Sequence, residues 1–380
     1  MKVGIDTFGC DHGRSGIGSY LLSLVGGLPE DDGISFELFG PEMDRYTYTG
    51  DKPYGWKSIS VPDSIVAERM WHTFKVNSFG RKQDYDVILY TAGAQMLPGR
   101  FKVPGVVVVN GIVSNQLSKT DDMWVRAGIR RRLSKADCII AASQFIKKDL
   151  ERHGFKGCRI EVIHNGIDHS MFFPAQVVDS ESDVIDIKPF SIKKPYIIYA
   201  SRMHSEEKKH LELIKAFTLF KERTGLPHRL VLAGSEGAYY DAVKKAVFAS
   251  SAASDIIITG FFAQENFTKL YRNAEACVFP SVNEGVGLPV IEAMAVGIPV
   301  TCSRAGALGE IAGEHALFFD SDNIEEMSAC LEKILCDQKL RKELVSGGLE
   351  WARRFSWEKT AASTVEVLRS VADMPRGGNG

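Results

Sequence analysis

The chain has 380 residues, of which 44% are hydrophobic and 25% are charged, and its formal net charge is −2 at pH 7. This length exceeds what one hydrophobic core usually supports, so two domains are expected, and the ordinary globular composition excludes an intrinsically disordered chain. A net charge so close to zero excludes a protein whose overall field attracts nucleic acid or an anionic bilayer.

The cysteines and the apolar runs bear on the cellular compartment. Seven cysteines are present and none forms a Cys-x-x-Cys pair, while Cys138, Cys277 and Cys302 lie in apolar runs. Unpaired, buried cysteines are typical of a reducing compartment. Residues 1–6 have the pattern of a strand, not of a secretory signal, and every apolar run is too short for a membrane span. We therefore expect a cytoplasmic protein.

Short runs rich in β-branched residues alternate with helical patterns along the whole chain. Many of these runs are apolar without alternation, which is typical of parallel strands covered by helices on both faces. The fold class predicted is α/β, with two Rossmann-like, doubly wound parallel sheets. The predicted strands are residues 2–6, 35–39, 86–90, 106–109, 138–142 and 159–163, then 196–200, 229–233, 256–259, 276–279, 298–302 and 316–319.

An acidic stretch without apolar periodicity, residues 175–187, separates the two series of strands. Such a stretch favours a linker or a surface excursion. We therefore predict an N-terminal domain at residues 1–174, a linker at 175–194 and a C-terminal domain at 195–355. A last helix is predicted at residues 357–371, before a glycine-rich tail that is expected to fray.

The densest chemical signal lies at residues 279–295, where a strand is followed by a loop with two glycines and then a helix. Pro289 suits the first helical turn, and backbone amides at a helix start suit a diphosphate. Glu284 and Glu292 flank this start, and carboxylates accept paired hydrogen bonds from vicinal hydroxyls. Together these features favour a phosphate held between two polyols. Either glutamate taken alone is explained as well by a structural role, electrostatic stabilisation of the helix start or a solvated surface position, as by ligand binding.

Two weaker signals accompany it. Arg202 follows the strand at 196–200, and Lys208 precedes the next helix, so both could neutralise a departing diphosphate. Taken alone, however, this segment is better explained as a solvated charged loop. Residues 15–20, Ser-Gly-Ile-Gly-Ser-Tyr, resemble half of a dinucleotide fingerprint without its third glycine, and a plain tight turn explains them equally well.

These three segments together resemble glycosyltransferase family 4, and in particular its mannosyltransferase-B-like subgroup. The most specific part is the Glu-x7-Glu spacing of Glu284 and Glu292 with Gly-Leu-Pro between them. Further segments of the chain fit the same family, and they are residues 130–150, 162–168, 259–261, 271–274 and 355–357.

The resemblance implies a GT-B fold with an interdomain cleft and transfer with retention at the anomeric carbon. It also implies a nucleotide-diphosphate sugar as donor, with a hexose of mannose type slightly favoured, a glycan or lipid-linked acceptor, and no obligatory metal or other cofactor. The last helix would return to the N-terminal domain. By position in the family motifs, the catalytic residues would be Arg202, Lys208 and Glu284, and the donor-binding residues Gly16, Asn110, Phe261, Phe262, Val286, Gly287, Leu288, Pro289 and Glu292.

Two positions depart from the family pattern. Asn110 stands where the family usually has a histidine, and Val286 replaces the usual aromatic residue between two glycines. Asparagine can hydrogen-bond a hydroxyl but cannot carry a proton. A non-catalytic sugar-nucleotide-binding protein and a GT-B sugar-nucleotide epimerase therefore remain alternatives, whereas the incomplete fingerprint disfavours a dehydrogenase.

A basic cluster at residues 130–132, with Trp124, Ile129 and Leu133 near it, allows an amphipathic helix at a membrane surface. A solvated helix face is the simpler interpretation. Peripheral contact with the inner membrane face is thus an open possibility, and a nucleic acid partner is not expected.

Overall fold

The computed structural model of the chain describes residues 1–30, 33–50, 52–118, 123–174, 183–187, 190–262 and 264–374. Two compact units make up the chain. The first unit combines Met1–Gly166 with Ser356–Gly380, and the second unit is Ile167–Phe355.

In the first unit, the strands are β1 (Lys2–Asp6), β2 (Ser35–Gly40), β3 (Gly55–Ser58), β4 (Val87–Tyr90), β5 (Gly105–Val109), β6 (Cys138–Ala141) and β7 (Ile160–Val162). The helices before the chain leaves this unit are α1 (Gly16–Gly26), α2 (Arg45–Thr49), α3 (Ile65–Phe74), α4 (Val76–Lys82), α5 (Val113–Ser118), α6 (Met123–Leu133) and α7 (Gln144–Leu150).

In the second unit, the strands are β8 (Val184–Ile187), β9 (Phe190–Lys193), β10 (Tyr196–Ala200), β11 (Arg229–Ala233), β12 (Ile256–Gly260), β13 (Ala276–Phe279), β14 (Val300–Ser303) and β15 (Leu317–Phe319). The helices of this unit are α8 (His210–Thr224), α9 (Tyr240–Ala249), α10 (Gln264–Asn273), α11 (Leu288–Ala295), α12 (Leu308–Ala312), α13 (Ile324–Cys336) and α14 (Gln338–Ala352). The chain then returns to the first unit with α15 (Trp357–Ala372).

Each unit is built on one parallel sheet, as the sequence predicts. Over the described ranges, the first sheet has the order β3-β2-β1-β4-β5-β6-β7 and the second the order β12-β11-β10-β13-β14-β15. The order reverses beside β1 in the first sheet and beside β10 in the second. Because connections leave such a point in opposite directions, the loops at the carboxyl ends of the two strands leave a crevice where α/β proteins bind ligands. The second unit's crevice lies between the loops that follow β10 and β13.

All of the predicted strands are present with ends within two residues of the prediction, and three further strands were missed. β3 was missed because it is a short strand of Gly-Trp-Lys-Ser that carries no apolar run and, among the described strands, pairs with β2 alone. β8 and β9 form an antiparallel hairpin inside the predicted linker. Residues 175–182 and 188–189 of that linker lie outside the described residues, as does the tail from residue 375.

The two units meet in sequence at Gly166 and Ile167, eight residues before the predicted boundary at 174. Residues 167–174 are tied to the second unit because the Ile167 amide donates to the Phe355 carbonyl and the Arg272 guanidinium donates to the carbonyls of Met171 and Phe173. These bonds join segments far apart in sequence, so no local pattern marks the boundary.

α15 supplies part of the core of the first unit. Ser356 caps its start, and the Trp357 ring lies 5.6 Å from the Tyr20 ring of α1. Val365 and Leu368 are buried in the same cluster as residues of α1 and of the central strands. None of the helices in the described part of the chain combines the length and apolar character that crossing a membrane requires.

The turn before α1 depends on one glycine, Gly18. Ser15 caps the helix by accepting from the Gly18 amide at 3.1 Å, which draws the helix against the preceding loop. A Cβ atom at Gly18 would overlap the Cys10 carbonyl oxygen and the Gly13 backbone, whereas one at Gly16 would meet nothing within 4 Å.

We expect Gly18→Ala to lower the free energy of unfolding by about 1–3 kcal/mol, because the added methyl group forces the backbone of the loop to move. Gly16→Ala is the matched control and should change it by less than about 0.5 kcal/mol. Urea denaturation of both variants measures the difference. Equal stabilities would contradict the close approach of α1 to the Cys10 loop.

Candidate functional site

The predicted cations of the site lie in the loop that follows β10. Arg202 is exposed, and no carboxylate among the described residues pairs with it. Lys208 ends a short 3-10 turn, Glu206–Lys208, and its carbonyl oxygen accepts a hydrogen bond of 2.7 Å from the buried Tyr199 hydroxyl. The loop is thus anchored to its own strand, and Lys208 occupies a fixed position at the carboxyl edge of the sheet.

Lys208 forms an ion pair with Glu284, which follows β13. The Lys208 Nζ lies 2.6 Å from the Glu284 Oε2, and the two side chains are only 14% and 18% exposed. Ser281 Oγ donates to the same carboxylate oxygen at 3.2 Å. Opposite charges that are largely withdrawn from water interact strongly. The pair therefore joins the two loops that border the crevice, a coupling that separate inspection of the two sequence motifs did not reveal.

A third loop fixes the backbone of Glu284. The Ala307 amide donates to the Glu284 carbonyl at 2.8 Å. Gly306 has φ +63°, and a Cβ atom there would overlap the backbone of Glu284. Gly306 is thus a residue of the site that sequence reasoning missed, because its role depends on a contact with a distant segment.

α11 begins beside Glu284, as predicted from the Gly-Leu-Pro sequence. Gly287 has φ +73° and precedes the first helical residue, Leu288, with Pro289 next. The Val290 amide is already used, since it donates to the Gly287 carbonyl at 3.1 Å. Proline has no amide hydrogen, so the backbone nitrogen of Pro289 cannot donate a hydrogen bond to a ligand. Within the described part of the chain, the amides of Gly287 and Leu288 are the ones without partners at this helix start.

Glu292 lies one turn into α11, and its carboxyl group has no hydrogen-bonding partner among the described residues. Burial raises its pKa to about 7. The hydroxyl of Tyr271 is buried without a partner in the described ranges, and it lies close enough for the charge of Glu292 to raise the pKa of Tyr271 further. Buried polar groups are normally hydrogen-bonded, and an unsatisfied one calls for an explanation such as a ligand. A hydroxyl group of a bound ligand would supply the carboxyl group of Glu292 with a hydrogen bond.

The other predicted site residues fall into two groups. Phe261 is 78% exposed, but Phe262 is buried against Phe190 of β9 and Phe267 of α10, so only Phe261 has a face available to a ligand. Val286 is partly exposed beside Gly287.

The remaining two predicted site residues, Gly16 and Asn110, lie in the first unit at the carboxyl edge of its sheet. Gly16 opens α1 with open space around it, and Asn110 directly follows β5. Both polar atoms of the Asn110 amide are buried without a partner in the described ranges. The same edge carries an unpredicted pair, His12 with the buried Asp44, in which His12 has φ +50°. No group of three or more His, Cys, Asp or Glu side chains in the described ranges is arranged to hold a metal ion.

The two halves of the chain match two protein-family models. Residues 14–171 match the model described as Glycosyltransferase Family 4, and residues 182–351 match Glycosyl transferases group 1. The chain therefore belongs to the glycosyltransferases that combine a Family 4 region with a group 1 region. The resemblance stated from the sequence is therefore confirmed.

Curated relatives share part of the chain. O-antigen chain mannosyltransferase B of Escherichia coli is 31% identical over 46% of this chain and 45% of its own length. D-inositol 3-phosphate glycosyltransferase of Corynebacterium urealyticum is 26% identical over 65% of this chain and 59% of its own length. The chain thus spans about half the length of these two relatives.

Solved structures agree over nearly the whole chain. Sucrose-phosphate synthase from Thermosynechococcus elongatus has a TM-score of 0.73 at 17% identity and covers 98% of this chain and 99% of its own. Anabaena HepE in complex with UDP and glucose has the same TM-score and identity, with coverage of 97% and 100%. The glycosyltransferase is therefore of the GT-B type, which confirms the predicted fold class.

The unpaired carboxyl group of Glu292 predicts a specific pH dependence of stability. Its pKa is raised from 4.5 to about 7 by folding, so the folded state holds this proton more tightly than the unfolded chain does. The associated stability is fully present below pH 4.5 and is lost as the pH rises through 7.

The glutamine side chain of the Glu292→Gln variant has no proton to lose, so the variant should not lose stability in this way as the pH rises. Relative to the unchanged protein, we expect the free energy of unfolding of the variant to rise by on the order of 2 kcal/mol between pH 4 and pH 8. Urea denaturation across that range measures it, with the exposed Glu332→Gln of α13 as control. Parallel pH profiles for Glu292→Gln and the unchanged protein would contradict an unpaired carboxyl group that is partly withdrawn from water.

Proposed function

We propose that the protein is a retaining hexosyltransferase that moves a sugar from a nucleotide diphosphate to a glycan or lipid-linked acceptor, without an obligatory metal. The observation that carries this proposal is the Lys208–Glu284 pair, which lies between the loops after β10 and β13. Membership of the glycosyltransferase family and the fold of relatives solved with UDP support the donor class.

In this proposal, cations and free amides hold the diphosphate. Arg202 and Lys208 would neutralise the leaving phosphates, and the amides of Gly287 and Leu288 would donate to phosphate oxygens. Once the diphosphate draws Lys208 toward itself, the carboxylate of Glu284 would be available for hydroxyls of the transferred sugar. Positive charge placed where negative charge develops lowers the barrier to bond cleavage.

Glu292 and Asn110 would contact hydroxyl groups of the donor. A carboxylate accepts both hydrogen bonds of a ribose diol, and this interaction favours the ionised form. Donor affinity should therefore increase as the pH rises through 7. Asn110 has an amide that is buried without a partner, so it would hydrogen-bond the sugar without transferring a proton.

Similarity to mannosyltransferases favours mannose as the transferred hexose. Besides O-antigen chain mannosyltransferase B, the serotype-specific mannosyltransferase WbdA of Escherichia coli is 34% identical over 30% of this chain and 14% of its own length. We therefore favour a GDP-activated mannose-type donor and a role in the assembly of a surface polysaccharide.

Thermal unfolding against a panel of UDP, GDP, ADP and dTDP sugars tests donor binding. A donor at 100 times its dissociation constant should stabilise the fold by about 2.7 kcal/mol. We expect one base, guanine, to give the largest shift in melting temperature. An unchanged melting temperature across the panel would contradict the proposal of a sugar-nucleotide site.

Lys208→Ala tests the role in catalysis. We expect kcat to fall by about a hundredfold with a smaller change in KM, because the cation is needed most as the leaving phosphates gain charge. Lys209→Ala is the matched control, since its ammonium group pairs instead with Glu212 and Asp322. Equal activities of the two variants would contradict the assigned role.

A non-catalytic sugar-nucleotide-binding protein is the second candidate, and Asn110 in place of a histidine is the observation that favours it. That candidate predicts a thermal shift with a donor but neither transfer nor slow hydrolysis of it. Release of the nucleoside diphosphate from a donor that binds would exclude it.

A further inference from the structure

A basic cavity of about 640 Å³ lies in the first unit, among residues that were not assigned to the candidate site. Its lining includes six cationic side chains and, within the described ranges, no acidic one, and the cations are Arg81, Arg100, Lys102, Arg131, Arg132 and Lys135. They come from α4, from the loop before β5, and from the end of α6 and the loop before β6. These segments lead into the amino ends of β4, β5 and β6, whereas Gly16 and Asn110 lie at the opposite, carboxyl edge of the sheet.

The cavity is held in place by its own hydrogen bonds. The Asn77 side chain of α4 donates to the Arg100 carbonyl at 2.8 Å and accepts from the Lys102 amide at 2.8 Å. This fixes the loop that carries two of the cations. No carboxylate in the described residues pairs with Arg81, Arg100 or Arg131, so their charges face solvent in a protein whose net charge is −2. An arrangement of this kind attracts a polyanion.

An exposed apolar row lies next to the basic cavity. Val66, Met70 and Phe74 follow one another at intervals of four residues on α3, with exposed fractions of 67%, 57% and 69%. Phe74 also lines the cavity, so the row and the cations form one continuous surface. The opposite side of α3 is anchored, because the buried His72 ring nitrogen Nε2 lies 2.7 Å from a carboxylate oxygen of Asp6.

From this surface we infer that the first unit docks on a bilayer rich in anionic phospholipids. Apolar side chains on one helix, with adjacent lysines and arginines, are the combination that binds the interface of such a membrane. The basic cavity contacts phosphate headgroups, and Val66, Met70 and Phe74 enter the boundary with the acyl chains. A soluble polyanion such as RNA would match the cations but would leave the apolar row without a partner.

The structure changes the membrane hypothesis formed from the sequence. That hypothesis placed the apolar contacts on α6, at Trp124, Ile129 and Leu133. Leu133 is fully buried, Ile129 is only partly exposed, and the side chain of Trp124 lies outside the described residues. Arg131 and Arg132 of α6 line the basic cavity, and Phe74 of α3 joins that cavity to the exposed apolar row.

Flotation of the full chain with lipid vesicles tests the inference without requiring transferase activity. We expect binding to vesicles of phosphatidylcholine with 30% phosphatidylglycerol, decreasing with added salt, and at least about tenfold weaker binding to phosphatidylcholine alone. R131E/R132E should lose about tenfold or more in affinity for the anionic vesicles, and M70S/F74S should lose a similar amount.

Matched controls separate this surface from general charge and hydrophobicity. K339E/K342E on α14 removes two exposed cations, and Phe248→Ser on α9 removes an exposed aromatic side chain; both should bind the anionic vesicles as the unchanged protein does. Thermal unfolding, with and without a nucleotide sugar, checks folding and the donor site independently. Equal binding to both kinds of vesicle, or equal loss in the control variants, would overturn the inference. So would binding of glycerophosphate or RNA without retention on anionic vesicles.

Discussion

The ion pair between Lys208 and Glu284 is the contact on which the geometry of the candidate site depends. It joins the loops that follow two adjacent strands, β10 and β13, at the point where the strand order reverses. A parallel sheet always presents its carboxyl-end loops at one edge, but it does not fix the distance between them. The partly buried pair does so, and Ser281 and the amide of Ala307 restrict the glutamate further.

The pair also explains how the loop can carry an ammonium group that is only 14% exposed. An unpaired ammonium group with so little exposure would be costly, and the neighbouring carboxylate offsets that cost. None of the described residues compensates Glu292 in this way, and the cost of withdrawing its charge from water raises the pKa of its carboxyl group. Destabilising groups of this kind are often retained where a protein binds or transforms a ligand.

Sequence patterns were sufficient for the fold and for the position of the helix start in the candidate site, because both depend on local signals. Apolar runs without alternation located the strands of both sheets, and the Gly-Leu-Pro sequence located the start of α11. β3, the hairpin of β8 and β9, and the boundary at Gly166 were missed because short polar strands and long-range hydrogen bonds leave little trace in the local pattern. For the same reason, the sequence suggested Lys208 and Glu284 separately, while their pairing and the contribution of Gly306 required the structure.

The position of α15 has a consequence for the order in which the protein is completed on the ribosome. The chain leaves the first unit at Gly166 and returns to it at Ser356, so the second unit is an insertion within the first. The strands of the first sheet are all synthesised before the second unit, yet Val365 and Leu368, which cover part of that sheet's core, are synthesised only after it. The second unit has all of its elements once Phe355 has emerged. Part of the apolar core of the first unit therefore stays uncovered while the second unit is synthesised. During that time the first unit is the one that needs protection from association with other chains.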